Sequence, residues 1–320
     1  MRLFVTILCM IIVVSTLSVE AQILNSRYSQ YTSNGLMLNP AYAGSYNGTS
    51  FTGFYLNQWE GIDGAPITIA LTGHTRLNKW ERVGVGGYLE NDQLGLTNLI
   101  NAFGVFSYSI PTENGTFSAG FQGGVQFFSS DLTGDGAITG DNGLIDPALI
   151  NENQFLPNFG AGLYYYTDNW YIGSAVPYLV EEGDFYTGKT DVRQVRQSLQ
   201  IITTAGYVLS INDNLDFKPS MLLRVTPKSI DKVQTEITGS MLIKQTFWVG
   251  LSTRFNTATL ASTAVMLGAD FPTGLRIGYA YDYSFNNSNV GVGVFPSSHE
   301  VMVGYDISKS SKGRQGPRYF

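Results

Sequence analysis

The chain has 320 residues, of which 43% are hydrophobic, 13% aromatic and only 14% charged, with 36 Gly, 11 Pro and 1 Cys. That composition excludes disorder, coiled coil and collagen, and its charged fraction falls well below the roughly one quarter usual in soluble domains. A net charge of -6 argues against nucleic-acid binding, which needs a concentrated basic surface.

Met1 to Ala21 carries a single Arg2, an apolar stretch from Leu3 to Val14 and a polar Ser15-to-Glu20 region. It reads as a cleaved secretory signal with Gln22 the mature N-terminus, the alternative being an uncleaved anchor. Cys9 lies inside that signal, so the mature chain holds no cysteine for disulfides, thiol catalysis or metal ligation.

The residues 22–49 form an N-terminal segment with the turn-rich run Asn39-Pro40-Ala41-Tyr42-Ala43-Gly44. It is expected either to plug a lumen or to face the periplasm. Beyond it, segment after segment alternates with period two, as half-buried strands do. Leu275, Ile277, Tyr279, Tyr281 and Tyr283 oppose Gly274, Arg276, Gly278, Ala280 and Asp282 in this way. The expected strands are Ser50–Trp59, Pro66–Arg76, Arg82–Asn91, Leu96–Ile110, Gly115–Ser129, Pro157–Thr167 and Asn169–Val176. Then come Gln197–Ser210, Asn214–Val225, Val233–Ile243, Thr246–Asn256, Leu260–Asp270, Gly274–Phe285 and Ser298–Ile307.

Most approach the ~9 to 11 residues of a tilted membrane strand, and their number is even. Tight connections such as Pro111 to Asn114 and Lys244-Gln245 alternate with a set that includes the long ones, Ser130 to Leu156, Pro177 to Arg196 and Asn286 to Ser297. Short periplasmic turns facing longer surface loops are the pattern of an outer-membrane barrel. The expected fold is therefore all-β, a transmembrane antiparallel β-barrel of about 14 strands over residues 50–307. Tyr164, Tyr165, Tyr166, Trp170 and Tyr171, beside a short turn, are expected in an interfacial girdle.

The residues 308–320 form a basic tail in which Lys309, Lys312, Arg314 and Arg318 have no acidic companion. It reads either as a solvated tail or as a periplasmic docking peptide.

The quoted alternation and turn runs resemble those of one family. Asn39-Pro40-Ala41-Tyr42-Ala43-Gly44, Asn57-Gln58-Trp59 with Asp63-Gly64-Ala65-Pro66, and Pro157-Asn158-Phe159-Gly160-Ala161-Gly162-Leu163-Tyr164-Tyr165-Tyr166 are similar to motifs of the PorP/SprF family. So are Arg276-Ile277-Gly278-Tyr279-Ala280-Tyr281-Asp282 and Ser298-His299-Glu300-Val301-Met302-Val303-Gly304-Tyr305-Asp306. The resemblance implies an outer-membrane protein of Bacteroidota-type bacteria, tied to type IX secretion and gliding motility. It further implies partners among the periplasmic ring and motor proteins, or a large secreted adhesin. Candidate partner-binding residues are Asn39, Pro40, Tyr42, Trp59 and Asp63, with Lys309, Lys312, Arg314 and Arg318 of the tail.

Chemistry has few places to live, because His74 and His299 are the only histidines. Ser298 and Glu300, flanking His299 in an expected strand, point to the face opposite it. No catalytic residue and no cofactor is therefore expected, although a barrel hydrolase using either histidine stays open. The acidic run from Asp131 through Asp135 and Asp141 approximates a calcium loop, but Asn142 occupies the position that requires a bidentate carboxylate, so a solvated turn is the alternative. The expected polar faces include Lys218, Arg224, Glu236, Arg254, Arg276 and Asp282. They fit either a filled lumen with paired charges or an anion-preferring pore. A diffusion channel or a transporter for small or apolar ligands is thus the rival to a partner-docking barrel.

Overall fold

The computed structural model describes residues 27–77, 82–130, 152–181, 199–229, 233–257, 259–285 and 297–308. The strands are β1 Gly48–Asn57, β2 Ile67–Arg76, β3 Val83–Leu94, β4 Thr97–Pro111, β5 Thr116–Ser130, β6 Glu152–Tyr166, β7 Trp170–Val176 and β8 Ile201–Tyr207. They continue as β9 Leu209–Asn212, β10 Leu215–Val225, β11 Val233–Ile243, β12 Phe247–Asn256, β13 Thr259–Asp270, β14 Leu275–Ser284 and β15 Ser297–Ser308. β8 and β9 both pair with β10 and are parted only at Val208, so they make one interrupted stave. The barrel accordingly has 14 staves, all neighbours antiparallel. It closes where β1 meets β15, from Gly48 opposite Ser308 to Asn57 opposite His299.

Period-two alternation sorts the side chains inside out. Phe51, Leu71, Leu89, Phe106, Phe121, Leu251 and Val303 point outward and are exposed, whereas Thr52, Thr72, Glu90, Gln122, Thr238 and Glu300 point inward and are buried. An apolar exterior around a polar interior suits a wall solvated by lipid, with every backbone polar group satisfied between strands. Among the described residues no helix is long and apolar enough to cross a membrane.

One end carries the tight turns. Lys244 and Gln245 both adopt left-handed φ, 49° and 55°, as the central pair of a hairpin β-turn closed by the Thr246 N–H on the Ile243 carbonyl at 3.1 Å. The connections after β5, β7 and β14, the longest in the chain, leave from the other end. Two departures from the sequence expectation stand out. β6 starts at Glu152 instead of Pro157, because its first residues extend the ladder with β5 down to Ser130. The aromatic girdle is the second departure and needs correction: Tyr164, Tyr166 and Tyr171 are buried inside, leaving Trp170 exposed on the outer face and Tyr165 on that face beside it. Leu163 faces lipid, so strict alternation sends Tyr164 and Tyr166 inward.

The apolar core lies within the lumen. Short helical turns at Tyr31–Asn34, Gly35–Leu38 and Pro40–Tyr42 supply its centre. Tyr28, Leu36 and Met37 pack on Phe54, Leu56, Tyr88, Phe103 and Met302, while Tyr31 and Leu38 pack on Ile202 and Leu222. Of the two places open to the N-terminal segment, residues 27–46 occupy the lumen.

Candidate functional site: the plugged lumen

The plug runs down the barrel. Its first residues sit toward the long-loop end, where the backbone N–H groups of Ser29 and Gln30 donate to the Glu300 carboxylate at 2.7 and 3.2 Å. Tyr28 donates its hydroxyl to Glu90 at 2.9 Å, and Ser29 Oγ donates to Asp282 at 3.1 Å. Around them the charges pair: Arg254 reaches Glu236 at 3.2 Å and Asp282 at 3.3 Å. Lower down, Arg276 meets Asp306 at 2.7 Å. These cations are matched by acids in place, which is the arrangement of a filled lumen.

The start of the β7–β8 connection also folds inward. Gln122 Nε2 donates to the Pro177 carbonyl at 2.8 Å, and the Val180 N–H donates to Asn158 Oδ1 at 3.1 Å. Asn158 Nδ2 in turn donates to the Val180 carbonyl at 2.9 Å, and the Tyr178 ring sits on Phe103. Glu181, at the surface end of this stretch, is held below the usual carboxylate range by its hydrogen bond with Lys228.

Toward the short-turn end the run from Asn39 to Gly44 is clasped through its backbone. Pro40 at the first position of its turn brings a fixed φ, and Asn39 Oδ1 caps the turn by accepting from the Ala41 N–H at 2.9 Å. Asn39 Nδ2 donates to the Leu163 carbonyl at 2.9 Å, and Ser107 Oγ donates to the Ala43 carbonyl at 2.6 Å. His74 Nδ1 accepts from the Gly44 N–H at 3.2 Å, which fixes that nitrogen as unprotonated. Arg76 Nε donates to the Gly44 carbonyl at 2.8 Å, and the same guanidinium donates to Tyr166 OH at 2.9 Å. Two wall glycines let the plug come this close: a Cβ at Gly84 would overlap the Ala43 carbonyl, and one at Gly120 the Pro40–Ala41 backbone. Tyr164, Tyr166 and Tyr171 close around Ala41, with Tyr42 edge-on to Tyr164. Sequence reasoning missed this clasp, although glycine standing where inward neighbours are Ser118 and Gln122 was its visible signal.

Of the candidate contact residues, Asn39 and Pro40 are thus buried in the plug against the wall, and Tyr42 packs beside them. Trp59 and Asp63 lie apart from them, in the β1–β2 connection at the long-loop end, where Asp63 is exposed. Trp59 adopts a left-handed φ of 54°, and its N–H donates to Ser298 Oγ at 3.4 Å. Next to it the Glu60 N–H donates to the Ser297 carbonyl at 2.9 Å. The Glu60 carboxylate meets His299 Nε2 at 2.7 Å, and the opposite ring nitrogen of His299 meets Tyr279 OH at 2.6 Å. The hydrogen bond and the charge of His299 hold Glu60 below its ordinary range. The two histidines stand on opposite faces of the wall, His74 inward against the plug and His299 outward at the rim, so they share no site. Asp131, Asp135 and Asp141 of the candidate calcium loop, and Lys309, Lys312, Arg314 and Arg318 of the tail, lie outside the described residues. So does the expected signal segment.

Residues 21–305 match the family described as type IX secretion system membrane protein PorP/SprF. No curated protein matches the chain. Among solved structures, a triple mutant of the Rh. blastica porin is similar at 12% identity and a TM-score of 0.35, covering 82% of this chain and 99% of that one. Omp33 of Acinetobacter baumannii is similar at 8% identity and a TM-score of 0.46, covering 82% of this chain and all of its own.

Proposed function

The chain belongs to the PorP/SprF family of type IX secretion system membrane proteins, and from that premise we propose that it is a non-enzymatic docking barrel of the outer membrane. In this reading its periplasmic end binds the ring or motor proteins of the secretion system, and the barrel helps export or anchor a large surface adhesin. Short turns face the periplasm in outer-membrane barrels, so the clasped end of the plug looks inward to the cell and Trp59 and Asp63 look out. The observation that carries the proposal is the lumen itself: residues 27–46, the inward-folded Pro177–Val180 stretch and matched ion pairs occupy the path a diffusing solute would take. A diffusion channel or a transporter for small or apolar ligands would need that path free.

The test is cross-linking in intact cells, detergent purification of the tagged barrel and mass spectrometry of what accompanies it. Recovery of periplasmic ring or motor proteins, or of one large adhesin, is the expected result. Recovery of the barrel alone, under conditions that capture a known complex in the same cells, would overturn the proposal.

A further inference from the structure

The plug does not fill the lumen evenly. Its Pro40–Tyr42 turn leans on β4, β5 and β6. A cleft partly open to solvent lies between the plug and the opposite wall. It extends from Tyr46, Asp270 and Asp306 near the short-turn mouth up to Gln30 and Thr238. Asp306 stands beside Ser50, and Met302, whose other neighbour Gly278 lies against Gln30, stands beside Phe54 four positions higher. At ~3.3 Å per residue that is a depth of about 13 Å, the length of some four extended residues.

At the inner end Gln30 is 2% exposed, and neither its Nε2 nor its Oε1 has a hydrogen-bond partner. A buried primary amide without partners is rare, and it asks for a donor and an acceptor together. A peptide group supplies both. The rest of the lining offers hydroxyls at Ser240 and Thr238, the Trp248 ring, and charges that balance, Lys218 and Arg276 against Asp270 and Asp306. A balanced lining disfavours an occupant with unpaired charge, because that charge would lose its water without gaining a counter-ion. The basic 309–320 segment, with four cations and no acid, is a poor fit on that ground.

We propose that this cavity is a socket for an extended, uncharged peptide segment of a periplasmic partner, whose main-chain amide pairs with the Gln30 side chain. The inference rests on the docking function proposed above. It names the chemistry of one contact: entry from the periplasmic mouth, main-chain pairing at Gln30 and hydroxyl contacts along β11.

The experiment places the photoreactive amino acid benzoylphenylalanine at Ser240, which points into the socket, and at Leu251, which faces lipid, in cells making the whole secretion system. A socket gives a Ser240 adduct with a periplasmic secretion protein in which the linked residue falls in one extended, uncharged segment. Gln30→Ala removes a side chain with no partner of its own, so barrel yield and heat stability stay at parental levels. The adduct falls roughly tenfold, as expected for about 1.4 kcal/mol of lost hydrogen bonding. Ser240→Phe, which fills the cavity, abolishes it in a separate strain cross-linked from Thr238. Adducts at Ser240 with the chain's own residues 309–320, with glycan, or with nothing would overturn the socket. If the tagged barrel still recovers secretion proteins in that case, the docking function stands without the socket; if it recovers none, both fall.

Discussion

The two sides of the lumen hold the same plug by different means. β3 to β7 hold it mainly by shape, through backbone contact at Gly84 and Gly120, the Asn39 bond to β6 and the tyrosines around Ala41, with one carboxylate contact, Tyr28 to Glu90 of β3. β14 and β15 hold it by charge, through Glu300 and Asp282 accepting from Ser29 and Gln30, with Arg254 of β12 balancing Asp282. A shape contact tolerates no added volume, because protein interiors are packed to crystal density, but it does not depend on ionisation. A charge contact tolerates small shifts and fails when its carboxylate is lost. The clasped end is therefore the rigid one, next to β1, and the charged end is where the chain enters the barrel.

Adding volume on the shape side is the most damaging change. Gly120→Val drives a side chain into plug backbone that cannot rotate away, and should cost at least about 3 kcal/mol. Gly104→Val, on the lipid face with no heavy atom of the wall nearer than 3.9 Å to its Cβ, is the control and should be nearly neutral. The check is the temperature at which heat-modifiable migration in detergent gels is lost. Equal temperatures for the two variants would remove the shape contact from the account.

Removing the charge on the other side comes next. Glu300→Ala deletes two charge-assisted bonds to plug N–H groups and should cost on the order of 3 kcal/mol, leaving the wall assembled and the first plug residues open to protease. Unchanged proteolysis ahead of Leu36 would show that shape alone retains the plug.

The rim contact should give the smallest effect. Glu60 is a carboxyl whose folded value is depressed by His299, so its contribution is complete above the ordinary value of 4.5 and is lost as pH falls through the lowered one. Amide protection in residues 58–66, measured against the intrinsic exchange rate at each pH, should therefore fall on acidification below the ordinary carboxylate range, and His299→Ala should remove that pH step. A step of the same size in the His299→Ala protein would assign it to another group.

Much of the wall was legible because membrane strands declare themselves by alternation and by even spacing of turns. All fourteen staves follow from runs such as Leu275–Tyr283, and only the interruption at Val208 is invisible, because β8 and β9 continue one pattern. The plug was harder: residues 27–46 fold in turns of three or four residues, too short for any period to register. The tyrosine run 164–166 could have been placed from the sequence, since Leu163 fixes its parity. Three adjacent aromatics beside a turn resemble a girdle only when parity is ignored. The pairing of Arg254 with both Glu236 and Asp282 joins three strands, and no local spacing encodes such a contact.

Occupation of the barrel by its own N-terminal segment is tested by the conductance of the purified full chain in planar bilayers. A plugged barrel gives no steady open level, only brief events if any, at neutral pH and moderate salt. A stable, porin-like conductance from the intact chain would contradict the plug and return the lumen to the channel reading.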